Sequence, residues 1–152
     1  ADLQISQRAL EPSAGDGRIA RRMLDEGCEV DVCEIDEVSQ RQLRAIPGLR
    51  VTGSDFLKQD PPDEAGRYDR ILMNPPFTKG QDIAHVLHAW RFLKYDGVLV
   101  AITSPGWTFR TDKKHVAFRE FVDEMGIWEE LPEGTFKESG TNVRTTLIKI
   151  FK

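Results

Sequence analysis

Arg8-Ala9-Leu10-Glu11-Pro12-Ser13-Ala14-Gly15-Asp16-Gly17 passes from a short apolar strand into a glycine turn, and a helical stripe of Ile19, Met23 and Leu24 then runs from Arg18 to a stop near Gly27. A strand, a glycine turn and a helix in that order set backbone N–H groups and the positive helix end beside a ligand. The Gly15-x-Gly17 pair lacks a third glycine, because Ala20 stands there, a replacement that the dinucleotide-binding fingerprint tolerates. Beyond this unit, apolar runs alternate with helical patterns, which predicts an α/β fold with a mainly parallel sheet. The further strands are expected at Glu29–Glu34, Leu49–Thr52, Tyr68–Met73, Gly97–Thr103, Ile127–Leu131 and Val143–Phe151. Asp36 is placed to cap a helix through Leu43. A third helix is expected from Asp82 to Leu93, with Ile83, Val86, Leu87, Trp90 and Leu93 on one face, and a fourth around Val116, Phe118, Phe121, Val122 and Met125, ending at Gly126. Gly97–Thr103 shows no polar alternation, as a central strand covered on both faces requires.

A chain of 152 residues fits one domain with a buried core. Its 39% hydrophobic and 30% charged content is ordinary for a soluble protein, and no run approaches the roughly 18 apolar residues of a membrane span. Without a signal-peptide pattern, and with Cys28 and Cys33 set to point to opposite sides of a strand, no disulfide or metal site is expected, and the chain reads as cytoplasmic. It opens at Ala1 without an initiator Met, which fits a piece of a longer polypeptide. The net charge of −4 argues against a free-standing nucleic-acid binder, since phosphate contacts need Lys and Arg. Basic residues nevertheless gather in Phe109-Arg110-Thr111-Asp112-Lys113-Lys114-His115 and at Lys79, Lys137 and Arg144, as a solvated loop or as a substrate surface.

The fourth strand runs into Asn74-Pro75-Pro76-Phe77. Each proline pushes the residue before it into an extended conformation, so the carbonyls of Asn74 and Pro75 are free to face a ligand. Such a turn can be a proline-stiffened loop with a core Phe. It also suits chemistry on a planar amine, whose two hydrogens need acceptors before its delocalised lone pair can turn outward; the Asn74 side-chain oxygen and the Pro75 carbonyl fit that need, and Phe77 fits the face of a base.

Open α/β sheets bind ligands beyond the carboxyl ends of their strands. Glu34, about 20 residues past the glycine turn, is placed for ribose hydroxyls. Asp55, in Ser54-Asp55-Phe56 after the third strand, is an acceptor suited to an adenine amino group. Singly these residues read as a cap, a surface acid and a tight turn; jointly they favour an adenosine-containing cofactor. An NAD enzyme also fits the turn but leaves Asn74 through Phe77 unexplained.

With these residues in place, the chain resembles the class I methyltransferases that use S-adenosylmethionine, in particular the DNA N6-adenine type and its small phage-type and orphan bacterial members. Glu11 through Gly17, including Pro12 and Ala14, resembles that family's first motif, Glu34 with Ile35 its ribose-binding acid, Asp55-Phe56 its adenine-binding pair, and Asn74-Pro75-Pro76-Phe77 its catalytic tetrapeptide. Phe136-Lys137-Glu138-Ser139-Gly140-Thr141, within the long connection before the last strand, is similar to a segment of the small members. The resemblance implies a Rossmann-like, doubly wound sheet of seven strands with the last antiparallel, S-adenosylmethionine as cofactor, and methyl transfer to adenine N6 in DNA of the restriction-modification kind. Family members usually carry a longer N-terminal segment than Ala1–Gln7 and a target-recognition domain, neither of which the sequence shows, so a specificity subunit or additional domain is expected. The same chemistry suits an RNA base amino group, at adenine N6 or guanine N2, and a protein glutamine amide; a catalytically idle cofactor-binding subunit is a further alternative.

Lys79, Trp107, Phe109, Arg110, Lys113, Phe136 and Lys137 are the candidate substrate contacts, with core packing as the other role open to Trp107 or Phe109. His85 and His88 share a helix without matching ligands elsewhere and read as packing or surface residues.

Overall fold

The computed structural model describes residues 6–135 and 144–152. Seven strands, β1 (Arg8–Glu11), β2 (Glu29–Cys33), β3 (Leu49–Gly53), β4 (Tyr68–Met73), β5 (Leu93–Thr103), β6 (Gly126–Leu131) and β7 (Thr145–Phe151), form one sheet in the order β3-β2-β1-β4-β5-β7-β6. β1 pairs in parallel with β2 and β4, as do β2 with β3 and β4 with β5, while β7 runs antiparallel between β5 and β6. The expected doubly wound sheet with an antiparallel last strand is the observed one. The strand order reverses between β1 and β4, and that switch point is where an open α/β sheet leaves a crevice.

Side-chain alternation along the strands supplies two cores, one on each face. Ala9, Val30 and Val32 join Ala20 and Met23 of α1 (Arg18–Asp25) and Leu43 of α2 (Glu37–Arg44). Their strand neighbours Leu10 and Cys33, with Ile71, Met73, Leu99 and Ala101, join Ile83, Val86 and Ala89 of α3 (Gln81–Trp90) and Phe118 and Val122 of α4 (Lys113–Met125). Each fully buried aliphatic or aromatic side chain contributes about 1.5–3 kcal/mol. Both cysteines are free, Cys28 packed against the first core and Cys33 within the second. Asp36 caps α2 as expected, its carboxylate accepting the Ser39 N–H at 2.8 Å.

Three boundaries differ from the sequence reading. The third predicted helix ends at Trp90 rather than Leu93, because the Arg91 and Phe92 amides close onto His88 and Ala89 and the chain turns. Leu93 then opens β5 opposite Tyr68, four residues before the predicted start, through a register shift that holds Asp96 at φ 64. Leu93 satisfies the helical spacing but reaches the core from the strand. α4 starts at Lys113, where a polar first turn hides the helix from an apolar pattern.

Among the described residues, Asp31 is the one charged strand residue buried away from the ligand end of the sheet. Its carboxylate accepts Arg50 Nε at 2.7 Å, the Tyr68 hydroxyl at 2.7 Å and an Arg8 nitrogen at 3.3 Å. Burial, reinforced by that carboxylate, pushes the Tyr68 phenol well above its usual range. A buried charge satisfied this way ties four strands together and needs no ligand to explain it.

Candidate active site

The carboxyl ends of β1 to β4 open into a cleft of about 730 Å³, within the roughly 300–1,000 Å³ typical of ligand sites. Each strand delivers its polar groups in the lateral order of the sheet. β3 ends in Ser54 and Asp55, β2 in Glu34 and Ile35, β1 in Pro12, Ser13 and Gly15, and β4 in Asn74 through Phe77. At about 4.8 Å between neighbouring strands, β3 and β4, which lead to Asp55 and Asn74, are separated by roughly 14 Å across the sheet. The cleft therefore suits an elongated ligand.

Gly15 and Gly17 sit at φ 53 and φ 81, the left-handed region open to glycine, and a Cβ on Gly17 would meet Leu43 at 2.8 Å. This lets α1 start tight against α2. Ala14 is buried beneath the turn, donating to the Cys33 carbonyl at 3.1 Å and accepting from Gly17 at 2.8 Å. Ala14 and Gly17 thus shape the turn rather than line the cleft. Glu34 Oε2 accepts the Gly15 N–H at 2.6 Å, and Oε1 accepts the Asp36 N–H at 3.0 Å. Asp55 caps the turn after β3 through the Leu57 N–H at 3.2 Å while lining the cleft. Ile35, 70% exposed, and buried Phe56 give that end apolar walls.

Glu11 lies under the glycine turn, 2% exposed, with one carboxylate oxygen buried and lacking a partner among the described residues. Burial pushes its pKa up to about 8 against the pull of the Ala20 backbone amide, and the nearby charges of Asp16 and Glu34 add to the rise. At neutral pH this carboxyl is held as the acid, behind the wall rather than in it.

On the β4 side, Asn74 and Pro76 are exposed, Pro75 is buried and Phe77 is half-buried. α3 follows at once, and two of its residues that the sequence reading did not assign to the site, Gln81 and His85, line the cleft one helical turn apart. Burial lowers the His85 pKa against the opposing charge of Asp55, so the ring is neutral at neutral pH, and its Nδ1 is buried without a partner among the described residues. Its i, i+4 spacing from Gln81, just past the proline turn, was the available signal.

No family model matches the chain, and no curated protein matches its sequence. Solved structures do match. The type I restriction-modification system methyltransferase subunit from Streptococcus thermophilus aligns over 98% of this chain and 40% of its own, with a TM-score of 0.81 and 20% identity. The fold is a methyltransferase fold. A 16S rRNA methyltransferase from T. thermophilus, solved in complex with AdoMet and guanosine, aligns over 100% of this chain and 37% of its own (TM-score 0.64, 18% identity). The 23S rRNA methyltransferase ErmE aligns over 100% of this chain and 64% of its own (TM-score 0.65, 19% identity). The chain therefore spans less than two thirds of each of these three proteins.

Within the methyltransferase fold, the expected substrate contacts divide. Lys79, Phe109 and Arg110 line a second cavity that adjoins the cleft at Phe77. Lys113 is exposed at the first position of α4, outside that lining. Trp107, expected at the mouth, belongs instead to the core. It is 1% exposed, its indole N–H reaches the Thr103 and Thr146 hydroxyls at 3.0 and 3.2 Å, and its ring packs edge-on against Phe118 and Trp128. An indole this enclosed with a satisfied N–H has nothing left for a ligand. Phe136 and Lys137 lie outside the described residues. Among those described, no group of three or more His, Cys, Asp or Glu is placed to hold a metal ion, and no helix is long and apolar enough to cross a membrane.

Proposed function

We propose that this chain binds S-adenosylmethionine in the switch-point cleft and methylates the exocyclic amino group of a nucleic-acid base, adenine N6 in DNA foremost. The observation that carries the reading is the position of Asn74-Pro75-Pro76-Phe77 at the end of β4, across the crevice from Gly15, Glu34 and Asp55. The donor set fits the cofactor: Asp55 for the adenine amino group, Glu34 for the ribose hydroxyls, and the glycine turn for the amino-acid end, in the order in which an extended nucleoside presents them.

When bound, the cofactor supplies a methyl group on a positively charged sulfur. The residues of this chain do the rest by orientation. The Asn74 side-chain oxygen and the Pro75 carbonyl accept the two amine hydrogens and turn the nitrogen lone pair toward the methyl carbon. Held by these two acceptors, the nitrogen would form its new bond at the expense of the cofactor's carbon–sulfur bond, whose electron pair the sulfur would keep, and would then release a proton to water. Positioning of this kind can lower a barrier by roughly 7–11 kcal/mol, and fixed acceptors need no reorganisation during the step. Phe77 stacks on the base, offsetting part of the few kcal/mol needed to flip it from a duplex.

The restriction-modification neighbour supports DNA as the acceptor and a separate specificity element as the reader of sequence. The rRNA-methylating neighbours support the same chemistry on RNA as the second reading. Incubation with methyl-labelled S-adenosylmethionine and separate pools of DNA, RNA and protein tests both. Label in DNA, released as N6-methyladenine, is the expected result. Label confined to RNA supports the second reading, and label confined to protein contradicts both.

A further inference from the structure

The cavity beyond Phe77 measures about 580 Å³, and among the described residues no carboxylate lines it. Three separate segments bring cations to it: Lys79 after β4, Arg110 after β5, and Lys114 in the first turn of α4. None of the three has a carboxylate partner among the described residues, although the whole chain carries a net charge of −4. Gathering unpaired like charges from distant parts of an acidic chain is unfavourable unless an anion joins them.

The backbone is adapted to hold them there. Lys79 sits at φ 56, in the left-handed region that a side-chain-bearing residue seldom adopts. Lys114 Nζ donates to the Gly80 carbonyl at 3.2 Å, across a position where a Cβ would come within 3.0 Å of that nitrogen. Phe109 stands 68% exposed on the same rim, a large apolar ring with no core to join.

Cations in a groove beside open aromatic faces are the physical requirement for a single polynucleotide strand, whose phosphates and bases they meet in turn. We propose that this cavity holds the phosphodiester backbone next to the target base, with Lys79, Arg110 and Lys114 on the phosphates and Phe109 against an adjoining base. The proposal rests on the nucleic-acid reading above and adds where the strand runs: across the shared Phe77 wall, from the cleft toward the start of α4.

The test is equilibrium binding of a labelled oligodeoxyadenylate and its RNA counterpart across a salt series, with wild type, Arg110→Gln, Lys114→Gln and Phe109→Ala. Each lost phosphate contact should flatten the log–log salt dependence by about 0.7 for a single strand. Both glutamine variants should show that flattening with an unchanged Kd for S-adenosylhomocysteine, while Phe109→Ala should weaken binding without altering the slope. Tighter binding by DNA or by RNA identifies the source of the phosphates. Wild-type slopes in both glutamine variants, no oligonucleotide binding by wild type, or preferential binding of a polyglutamate peptide would each overturn the assignment. Failure of the methyltransferase reading looks different: label would reach no acceptor while oligonucleotide binding and its salt slopes persisted.

Discussion

Glu34 Oε2 accepts the Gly15 N–H at 2.6 Å, joining the end of β2 to the glycine turn at the end of β1. Its other oxygen holds the Asp36 N–H that leads into α2. The residue placed for the ribose is thus already the clasp of the cleft, and its carboxylate has about four lone-pair sites, enough to accept a diol as well.

Glu34→Ala is therefore expected to weaken S-adenosylmethionine binding at least about tenfold, the equivalent of roughly 1.4 kcal/mol. Without ligand it should also lower stability by about 1–3 kcal/mol, since the Gly15 amide loses its acceptor. Calorimetric titration checks the first effect and thermal unfolding the second. An unchanged Kd would remove Glu34 from the cofactor site.

Glu11 makes stability depend on pH. Its pKa rises on folding from 4.5 to about 8, so its contribution is fully present below 4.5 and is lost as pH rises through about 8. Glu11→Gln keeps a neutral side chain at every pH. Wild type should match or exceed the variant in Tm near pH 5 and fall behind it by about pH 9, each kcal/mol appearing as roughly 2–4 °C. Parallel Tm profiles for the two proteins would place an ionised carboxylate at this site.

Asp82 is fully buried and accepts both the backbone N–H and the hydroxyl of Ser104 at 2.8 Å, fastening the start of α3 to the end of β5. Gln81, beside Asp82, lines the cleft and Ser104 lines the second cavity, so the strap joins an element of each. Asp82→Asn retains the volume but loses one acceptor oxygen. It is expected to lower kcat about tenfold or more while leaving the cofactor Kd within about twofold, since a displacement of about 1 Å can cost 10²-fold in rate. Single-turnover kinetics beside cofactor titration separate the two.

Trp107→Phe distinguishes core from mouth. Loss of the two indole hydrogen bonds and of ring volume should destabilise the fold by about 1–3 kcal/mol. Oligonucleotide affinity, measured below the lowered Tm, should not change. A selective loss of affinity would return Trp107 to the substrate path.

The strand ends were legible in the sequence because each chemical group directly follows a readable apolar strand: Glu34 after Val30-Asp31-Val32-Cys33, Asn74 after Ile71-Leu72-Met73. Leu93 was misread because an apolar residue at helical spacing looks the same whether it reaches the core from a helix or from the next strand. Trp107 stood between mouth and core because a hydrophobic residue past a strand end carries no mark of which way the chain then folds; the bonds to Thr103 and Thr146, the latter 39 residues further on, place it in the core. Gln81 and His85 were missed because their part in the cleft depends on how α3 is set against the rest of the fold, to which the long-range Asp82–Ser104 bond contributes, rather than on local pattern.

The central claim is that Asn74 acts on the acceptor amine at the end of a cleft that other residues build for the cofactor. Side-by-side measurement of S-adenosylmethionine binding and methyl transfer in Asn74→Ala tests it most directly. The account predicts a cofactor Kd within a fewfold of wild type and transfer reduced by about 10²-fold or more, the loss expected on removing a preorganised acceptor. Transfer at the wild-type rate by a folded, cofactor-binding Asn74→Ala would contradict it and leave the tetrapeptide as a turn.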